Sequence, residues 1–344
     1  MANAASNAMT AKTKAMYAKR LTKNDYAILL QKKSVAEVAS YLKNETYYAS
    51  VLEGVNEKAL HRGQLEVLIR NDVILKFSRI LRYSTSGNDG FFHMIVVDSE
   101  VAVILSQVKS LIYEDFNSGL EKLPMMIQNG FCFNTKAVIN ARSYEGLCEA
   151  LKGTVYYKFL IKYHPTDVEE LDFVGLEQEL QRYKFEETVK AMEKQAGSKL
   201  KDEIYQILYT EAELENLAKI YRLKKYFKAP ASKIKELITP VYLKFSKREI
   251  DNLIDNVDAD QIFEKIKETT YRNYLDDNFI FFEHSTRSIN FNLNKRNIMY
   301  SNDADVVLLI YKALMDTEVQ NIIDIIEGIR YGISADQINK ILIY

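Results

Sequence analysis

The sequence predicts an all-α protein made of three similar helical subdomains. Its 344 residues include 12 glycines and 4 prolines, so the residues that most often interrupt helices are scarce. Apolar residues recur at three-and-four spacing over long stretches, as they do on one face of a helix. One short phrase also occurs three times. Together these observations favour long helices repeated in three copies over a fold that contains a sheet.

The repeated phrase is an amphipathic stretch that ends in lysine, threonine, tyrosine and leucine. Its copies cover residues 34–52, 143–160 and 259–275. The aligned residues are Lys43, Thr46, Tyr47 and Leu52 in the first copy, Lys152, Thr154, Tyr156 and Leu160 in the second, and Lys267, Thr270, Tyr271 and Leu275 in the third. We therefore predict that the three leucines occupy equivalent buried positions.

A second phrase follows each copy and ends in a basic residue and a tyrosine. Its copies are residues 73–83, 216–226 and 321–331. The basic residues are Arg82, Lys225 and Arg330, and we take them as candidate contacts for a partner protein. The alternative is that each tyrosine packs in the core while each cation offsets the negative end of its helix dipole.

These phrases divide the chain into a tail and three repeats. We expect residues 1–15 to be a disordered tail or a cloning scar, and the repeats to cover residues 16–130, 131–240 and 241–344. Residues 288–294 alternate apolar and polar side chains as a strand would, but they also fit one face of a helix. We predict a helix there because no other segment offers a comparable partner strand.

The composition argues against several classes of function. The 46 basic and 47 acidic residues nearly cancel, so no general attraction to nucleic acid is expected. The apolar runs FFHMIVV at 91 and VVLLIY at 306 are short enough to be core segments, and no direct insertion into a bilayer is expected. Two cysteines without a framework spacing, Cys132 and Cys148, suit a reducing compartment such as the cytosol.

The sequence has no pattern typical of a catalytic, cofactor or metal site. The four histidines are far apart, and none belongs to a His-x-x-x-His or Cys-x-x-Cys pattern. No glycine-rich loop is present that could gather backbone N–H groups around a phosphate. We therefore predict a protein with no enzymatic activity, no cofactor and no bound metal.

The end of the chain resembles the end of a non-catalytic subunit of V-type and A-type ATPases (ATP synthases). That subunit is named C in most of these enzymes and d in the eukaryotic vacuolar enzyme. In residues 306–344, Glu318, Asn321 and Arg330 match the pattern of that family. The resemblance extends from about Met16 to the last residue.

Two further segments and the start of the chain are similar to the same family. Residues 209–227 resemble a family segment with Glu211 and Asn216 in the matching places. Residues 141–160 resemble its Leu-x-Gly-Thr-x-Tyr phrase, and Tyr17 and Arg20 match its opening. The similarity is weakest between residues 84 and 136.

The resemblance implies an all-helical, funnel-shaped protein with three subdomains around a pseudo-threefold axis. Family members receive the foot of the central stalk and rest on the cytoplasmic side of the membrane proteolipid ring. The resemblance therefore implies a non-catalytic adaptor, peripheral to the membrane, that passes rotation between the ATP-hydrolysing head and the ring. The choice between protons and sodium ions, and between synthesis and hydrolysis, is left open.

Two other functions are compatible with a helical repeat protein. One is a solenoid scaffold that binds a peptide or a second protein. The unequal gaps between the copies of the second phrase argue against it, since stacked solenoids keep a nearly constant period. The other is a helical hydrolase with a site assembled from scattered carboxylates, which no residue pattern favours.

Overall fold

The computed structural model describes residues 2–82, 89–114, 123–166, 168–195, 201–275 and 279–344. Within these residues the chain is all-α, as predicted, and no strand is present. The helices are α1 Ala2–Tyr17, α2 Lys23–Leu29, α3 Val35–Glu45, α4 Ala49–Leu52, α5 Arg62–Leu81, α6 Asp89–Tyr113, α7 Met125–Gln128, α8 Thr135–Ile139, α9 Tyr144–Ala150, α10 Tyr157–Lys162, α11 Phe173–Gln195, α12 Lys201–Lys225, α13 Ala231–Leu237, α14 Lys247–Asp255, α15 Ile262–Lys267, α16 Phe282–Tyr300, α17 Ala304–Arg330 and α18 Ala335–Ile341.

The chain forms two compact units. Unit 1 combines Met1–Ala59 with Ser198–Tyr344, and unit 2 is Leu60–Gly197. The first and the last helices therefore belong to the same unit. The division into repeats at 16–130, 131–240 and 241–344, and their arrangement around a common axis, stay predictions.

Unit 2 is built on two long helices, α6 and α11, that pack along each other. Helices α7 and α8 lie against α6, α10 lies against α11, and α9 lies against α8 and α10. By length and composition, Gly90–Tyr113 could cross a membrane. However, 72% of its most apolar 18-residue stretch is buried inside the structure. This burial is what a core helix shows, because the apolar face of α6 meets apolar residues of its own unit.

Unit 1 packs α16 against both α12 and α17. The ambiguous stretch 288–294 lies inside α16, so the predicted helix is confirmed. Ile289 and Phe291 are buried on that helix. The apolar face of α17 is also buried, as its three-and-four spacing indicated.

Helix α1 covers the segment for which we expected a disordered tail. It packs on α17, where Met9 and Thr13 are buried. Oγ1 of Thr10 also donates a hydrogen bond to the carbonyl oxygen of Asn302 across 3.3 Å. The segment contains no apolar run, which suggested a disordered tail, whereas the buried side chains of Met9 and Thr13 hold the helix on α17.

Candidate functional site

The repeated phrase folds in the same way in all three copies, but in a different register from the one that the sequence suggests. Each copy forms a Thr-x-Tyr turn, made by Thr46 and Tyr48, Thr154 and Tyr156, and Thr269 and Tyr271. In every copy the threonine Oγ1 accepts a hydrogen bond from the tyrosine N–H at 3.2 Å. The same hydroxyl donates to a carbonyl oxygen near the end of the preceding helix. Tyr47 and Thr270 are therefore not the equivalent residues, because only the two-residue spacing satisfies both hydrogen bonds.

The leucine that closes each phrase is buried in two of the three copies. Leu52 is 1% exposed and Leu160 is 0% exposed, as predicted. Leu275 is half-buried and packs against the edge of the core of unit 1. The prediction of three buried leucines is therefore correct for the first two copies.

The tyrosine of each turn is buried and bonds to a buried glutamate. Tyr48, Tyr156 and Tyr271 are 0%, 0% and 1% exposed. The hydroxyl of Tyr48 donates to Glu318 at 2.8 Å, that of Tyr156 to Glu100 at 2.8 Å, and that of Tyr271 to Glu213 at 2.7 Å. Burial, followed by the neighbouring carboxylate, raises the pKa of Tyr156 and Tyr271 above the usual value of 10.0. These phenols therefore stay protonated and can donate.

Each glutamate also accepts backbone N–H groups from a second segment. Glu318 accepts the N–H of Leu21 at 2.8 Å, and Glu100 accepts that of Cys132. Oε1 of Glu213 accepts three successive N–H groups, those of Leu243, Lys244 and Phe245, at 2.7 Å, 3.0 Å and 3.1 Å. A buried carboxylate needs such donors, because an unpaired charge inside a protein costs several kcal/mol.

The bonded N–H groups lie just before a short helix in every copy. That helix is α2, α8 or α14, and it begins where Thr22, Asn134 or Ser246 accepts a backbone N–H as its N-cap. A second short helix follows, α3, α9 or α15, and leads into the Thr-x-Tyr turn. One glutamate on a long helix therefore fastens both the start and the end of a helix pair. We call each such arrangement a joint.

A buried asparagine reinforces the joint of Glu213. Asn216 lies three residues after Glu213 on α12 and is 3% exposed. Its Nδ2 donates to the carbonyl oxygen of Thr239 at 2.6 Å, and its Oδ1 accepts the N–H of the same residue at 2.9 Å. The side-chain amide thus satisfies a backbone segment that lies after α13.

The joint of Glu318 has an asparagine at the corresponding position, three residues after the glutamate. Asn321 is fully buried and binds both the carbonyl oxygen and the N–H of Ile343, at 2.6 Å and 3.0 Å. In the joint of Glu100 the corresponding residue is Val103. There Nε2 of Gln107, one turn further on, donates to the carbonyl oxygen of Ala141 at 2.8 Å.

Two of the three joint glutamates are not identified by the sequence patterns above. Glu211 matches the family position in the sequence, but it is only partly buried and Glu213 makes the joint. Glu100 belongs to none of those patterns, since no asparagine follows it. A shared signal does exist in the sequence, because an aromatic residue follows each joint glutamate at the same interval.

An exposed tyrosine stands thirteen residues after each joint glutamate. Tyr113, Tyr226 and Tyr331 are 76%, 64% and 68% exposed, at the ends of α6, α12 and α17. This spacing identifies α6, α12 and α17 as equivalent helices. The first copy of the second phrase is therefore 103–113 and not 73–83, because α5 carries none of the joint glutamates.

The three basic residues singled out from the sequence consequently do not form one equivalent set. Arg82 follows α5, and Ile112 is the residue of α6 that corresponds to Lys225 and Arg330. Nζ of Lys225 lies 2.7 Å from Oδ1 of Asp260, and this bond raises the pKa of Lys225.

Arg330 is exposed, and its guanidinium carbon lies 5.4 Å from the centre of the Tyr331 ring. The alternative in which the tyrosines of this phrase pack in the core is wrong for Tyr226 and Tyr331, which are exposed. Tyr83 lies outside the described residues.

The described part of the chain contains no group of three or more His, Cys, Asp or Glu side chains placed to hold a metal ion. The three joint glutamates instead accept hydrogen bonds from tyrosines and backbone N–H groups.

A model of the ATP synthase (C/AC39) subunit family matches residues 9–341 of the chain, a range that contains all three joints. No curated protein matches the chain.

Proposed function

Because the chain belongs to the ATP synthase (C/AC39) subunit family, we propose that it is the non-catalytic central-stalk adaptor of a V/A-type rotary ATPase. In this role it links the central stalk to the membrane proteolipid ring and couples ion transport to ATP hydrolysis or synthesis. Its partners are then the other stalk proteins and the ring, and its location is the cytoplasmic side of the membrane, peripheral to the bilayer.

The joints support this proposal. An adaptor that transmits torque must resist sliding of its helices, and apolar packing alone is not directional. Hydrogen bonds to a buried carboxylate are directional and strong. Each joint fixes two points of a helix pair to one long helix, which opposes both translation and rotation of that pair.

The joint of Glu318 also discriminates between the adaptor and a solenoid scaffold. In the corrected register the joint glutamates are separated by nearly equal intervals, so unequal gaps no longer argue against a solenoid. In a solenoid, however, each repeat contacts its neighbours in the chain. Here the first helix pair, through Leu21 and Tyr48, is fastened to the last long helix by Glu318. This link between the two ends of the chain is the observation that carries the proposal.

The helix ends provide candidate partner contacts. We propose that Arg82, Lys225 and Arg330 contact acidic surfaces of the stalk or the ring. Support comes from the exposed Tyr226 and Tyr331 beside two of these cations. Tyrosine and arginine are enriched where proteins bind one another.

Reconstitution tests the proposed function. Stalk proteins and proteolipid rings of the same enzyme are mixed with and without this chain, and the ring is isolated. We expect the stalk to copurify with the ring when the chain is present and not when it is absent. If the stalk binds the ring equally well without the chain, or if the chain binds neither, the proposal is wrong.

A further inference from the structure

A cavity of about 360 Å³ lies beside the joint of Glu318 in unit 1. Its apolar wall includes Phe291, Leu314 and Met315, which are 8%, 2% and 1% exposed. Three cationic side chains also line it, those of Arg20, Lys23 and Lys295, and all three residues are exposed to solvent. The cavity therefore combines an apolar wall with a basic rim.

The hydroxyl of Tyr17, another lining residue, has no hydrogen-bond partner. Tyr17 is 7% exposed, and its Oη is buried. The guanidinium of Arg20 covers the ring of this tyrosine, with Cζ 4.3 Å from the ring centre. Buried hydroxyls nearly always have a partner, because an unpaired one loses its bonds to water without replacement. An acceptor from a ligand would supply that partner.

The one acidic side chain among the described lining residues, that of Glu318, already has hydrogen-bond donors. Glu318 accepts hydrogen bonds from the N–H of Leu21 and from the hydroxyls of Tyr47 and Tyr48. The hydrogen-bond donors that stabilise its carboxylate thus all belong to the joint. The three cations still outnumber the anions when the C-terminal carboxylate of the lining residue Tyr344 is counted with Glu318, so the cavity favours a negative ligand.

We propose that this cavity binds a small organic anion, namely a carboxylate or phosphate ester on a short apolar body. The anionic group lies between the Arg20 guanidinium, the Lys23 ammonium and the Tyr17 hydroxyl. The apolar body packs on Phe291, the most accessible of the three apolar side chains. This combination of an apolar wall with a few convergent polar groups is typical of small-molecule sites of this size, and a guanidinium suits carboxylate and phosphate groups alike.

Calorimetric titration of the purified chain tests the proposal with four probes. Phenyl phosphate and benzoate carry both an anionic group and an apolar ring, inorganic phosphate lacks the ring, and benzyl alcohol lacks the charge. We expect at least one of the two ring anions to bind at one site per chain, about tenfold more tightly than either incomplete probe. The preferred ring anion distinguishes phosphate esters from carboxylates.

Tyr17→Phe is the decisive variant, because it removes the hydroxyl and leaves the ring under Arg20. An unpartnered hydroxyl contributes nothing to folding, so the melting temperature should stay equal or rise, while the affinity for the ring anion falls about tenfold. Lys23→Gln should weaken binding and reduce its dependence on salt. Lys19→Gln removes an exposed charge of the same segment that does not line the cavity, and it should bind like the wild type.

Three results would overturn the proposal. They are absence of binding by both ring anions, equal binding by benzyl alcohol or inorganic phosphate, and a Tyr17→Phe variant that binds normally. Because the purified chain is used without stalk or ring, such a failure leaves the adaptor role unaffected.

Discussion

Oη of Tyr271 donates a 2.7 Å hydrogen bond to Oε2 of Glu213, between two side chains that are 1% and 0% exposed. Tyr271 lies at the end of a helix pair, and the same carboxylate accepts backbone N–H groups at the start of that pair. One charged group thus holds both ends of the pair on α12. The same relationship occurs at Glu100 and Glu318, which makes it a property of the repeat.

Replacing the joint tyrosine should destabilise unit 1. Tyr271→Phe removes the O–H donor and keeps the ring. The free energy of unfolding should therefore fall by the value of one hydrogen bond to a charged group, about 1.5–3 kcal/mol. Urea unfolding followed by circular dichroism measures the change. Tyr226→Phe is the matched control, because Tyr226 is 64% exposed, and it should change stability by less than about 0.5 kcal/mol. Equal stability of the two variants would show that the joint contributes little.

Alkaline pH should weaken the joints. The pKa values of Tyr156 and Tyr271 are raised above 10.0 in the folded protein. The contribution of their hydrogen bonds to the free energy of unfolding is therefore fully present below about pH 10, and it is lost as the pH rises through the pKa values of the folded protein. We expect the melting temperature to fall steeply above that pH. The Tyr156→Phe variant should have a lower melting temperature than the wild type at neutral pH, but its melting temperature should fall less steeply as the pH is raised. Parallel declines in wild type and variant would contradict the assignment.

Loss of the buried asparagine should release the end of the chain. Asn321→Ala removes both hydrogen bonds to Ile343, leaving buried backbone groups unpaired at a cost of about 1–3 kcal/mol each. We expect faster hydrogen exchange at the Ile343 amide, with amides of unit 2 unchanged. The control is Asn302→Ala, at an exposed position. Unchanged exchange at Ile343 would mean that other contacts hold this segment.

Charge reversal should test the proposed partner contacts. A variant with Arg82, Lys225 and Arg330 all changed to Glu should retain its helix content but assemble less well with stalk or ring, and wild-type assembly should weaken as salt is raised. A control with Lys152, Lys190 and Lys265 changed to Glu makes the same charge change elsewhere on the surface. If both variants assemble equally, these three cations are not the contact.

Much of the fold could be predicted because its signals are local. Scarce glycine and proline, apolar periodicity and a threefold phrase identify helices and their repetition from residues close in sequence. Glu318 and Asn321 could also be recognised, because they match the pattern at the end of the ATP synthase (C/AC39) subunit family.

The joints themselves depend on contacts between distant residues, which a single sequence does not display. The pairing of Tyr48 with Glu318 spans nearly the whole chain. Glu100 lies within an apolar helix that also carries Asp98, and only the structure shows that Asp98 pairs with Lys184 while Glu100 is the buried carboxylate that needs donors. The register error between Tyr47 and Tyr48 arises because adjacent tyrosines fit the phrase equally well until the threonine hydrogen bonds are known.

Hydrogen exchange at three amides tests the central claim most directly. In each joint the glutamate is replaced by leucine, as Glu318→Leu, Glu100→Leu or Glu213→Leu, and exchange is followed at the amide that it binds, that of Leu21, Cys132 or Phe245. We predict that each variant loses protection at its own amide and at the Thr-x-Tyr turn of the same joint, while the joint in the other unit keeps its protection. Unchanged protection in any of the three variants would contradict the claim that one glutamate fastens both ends of each helix pair.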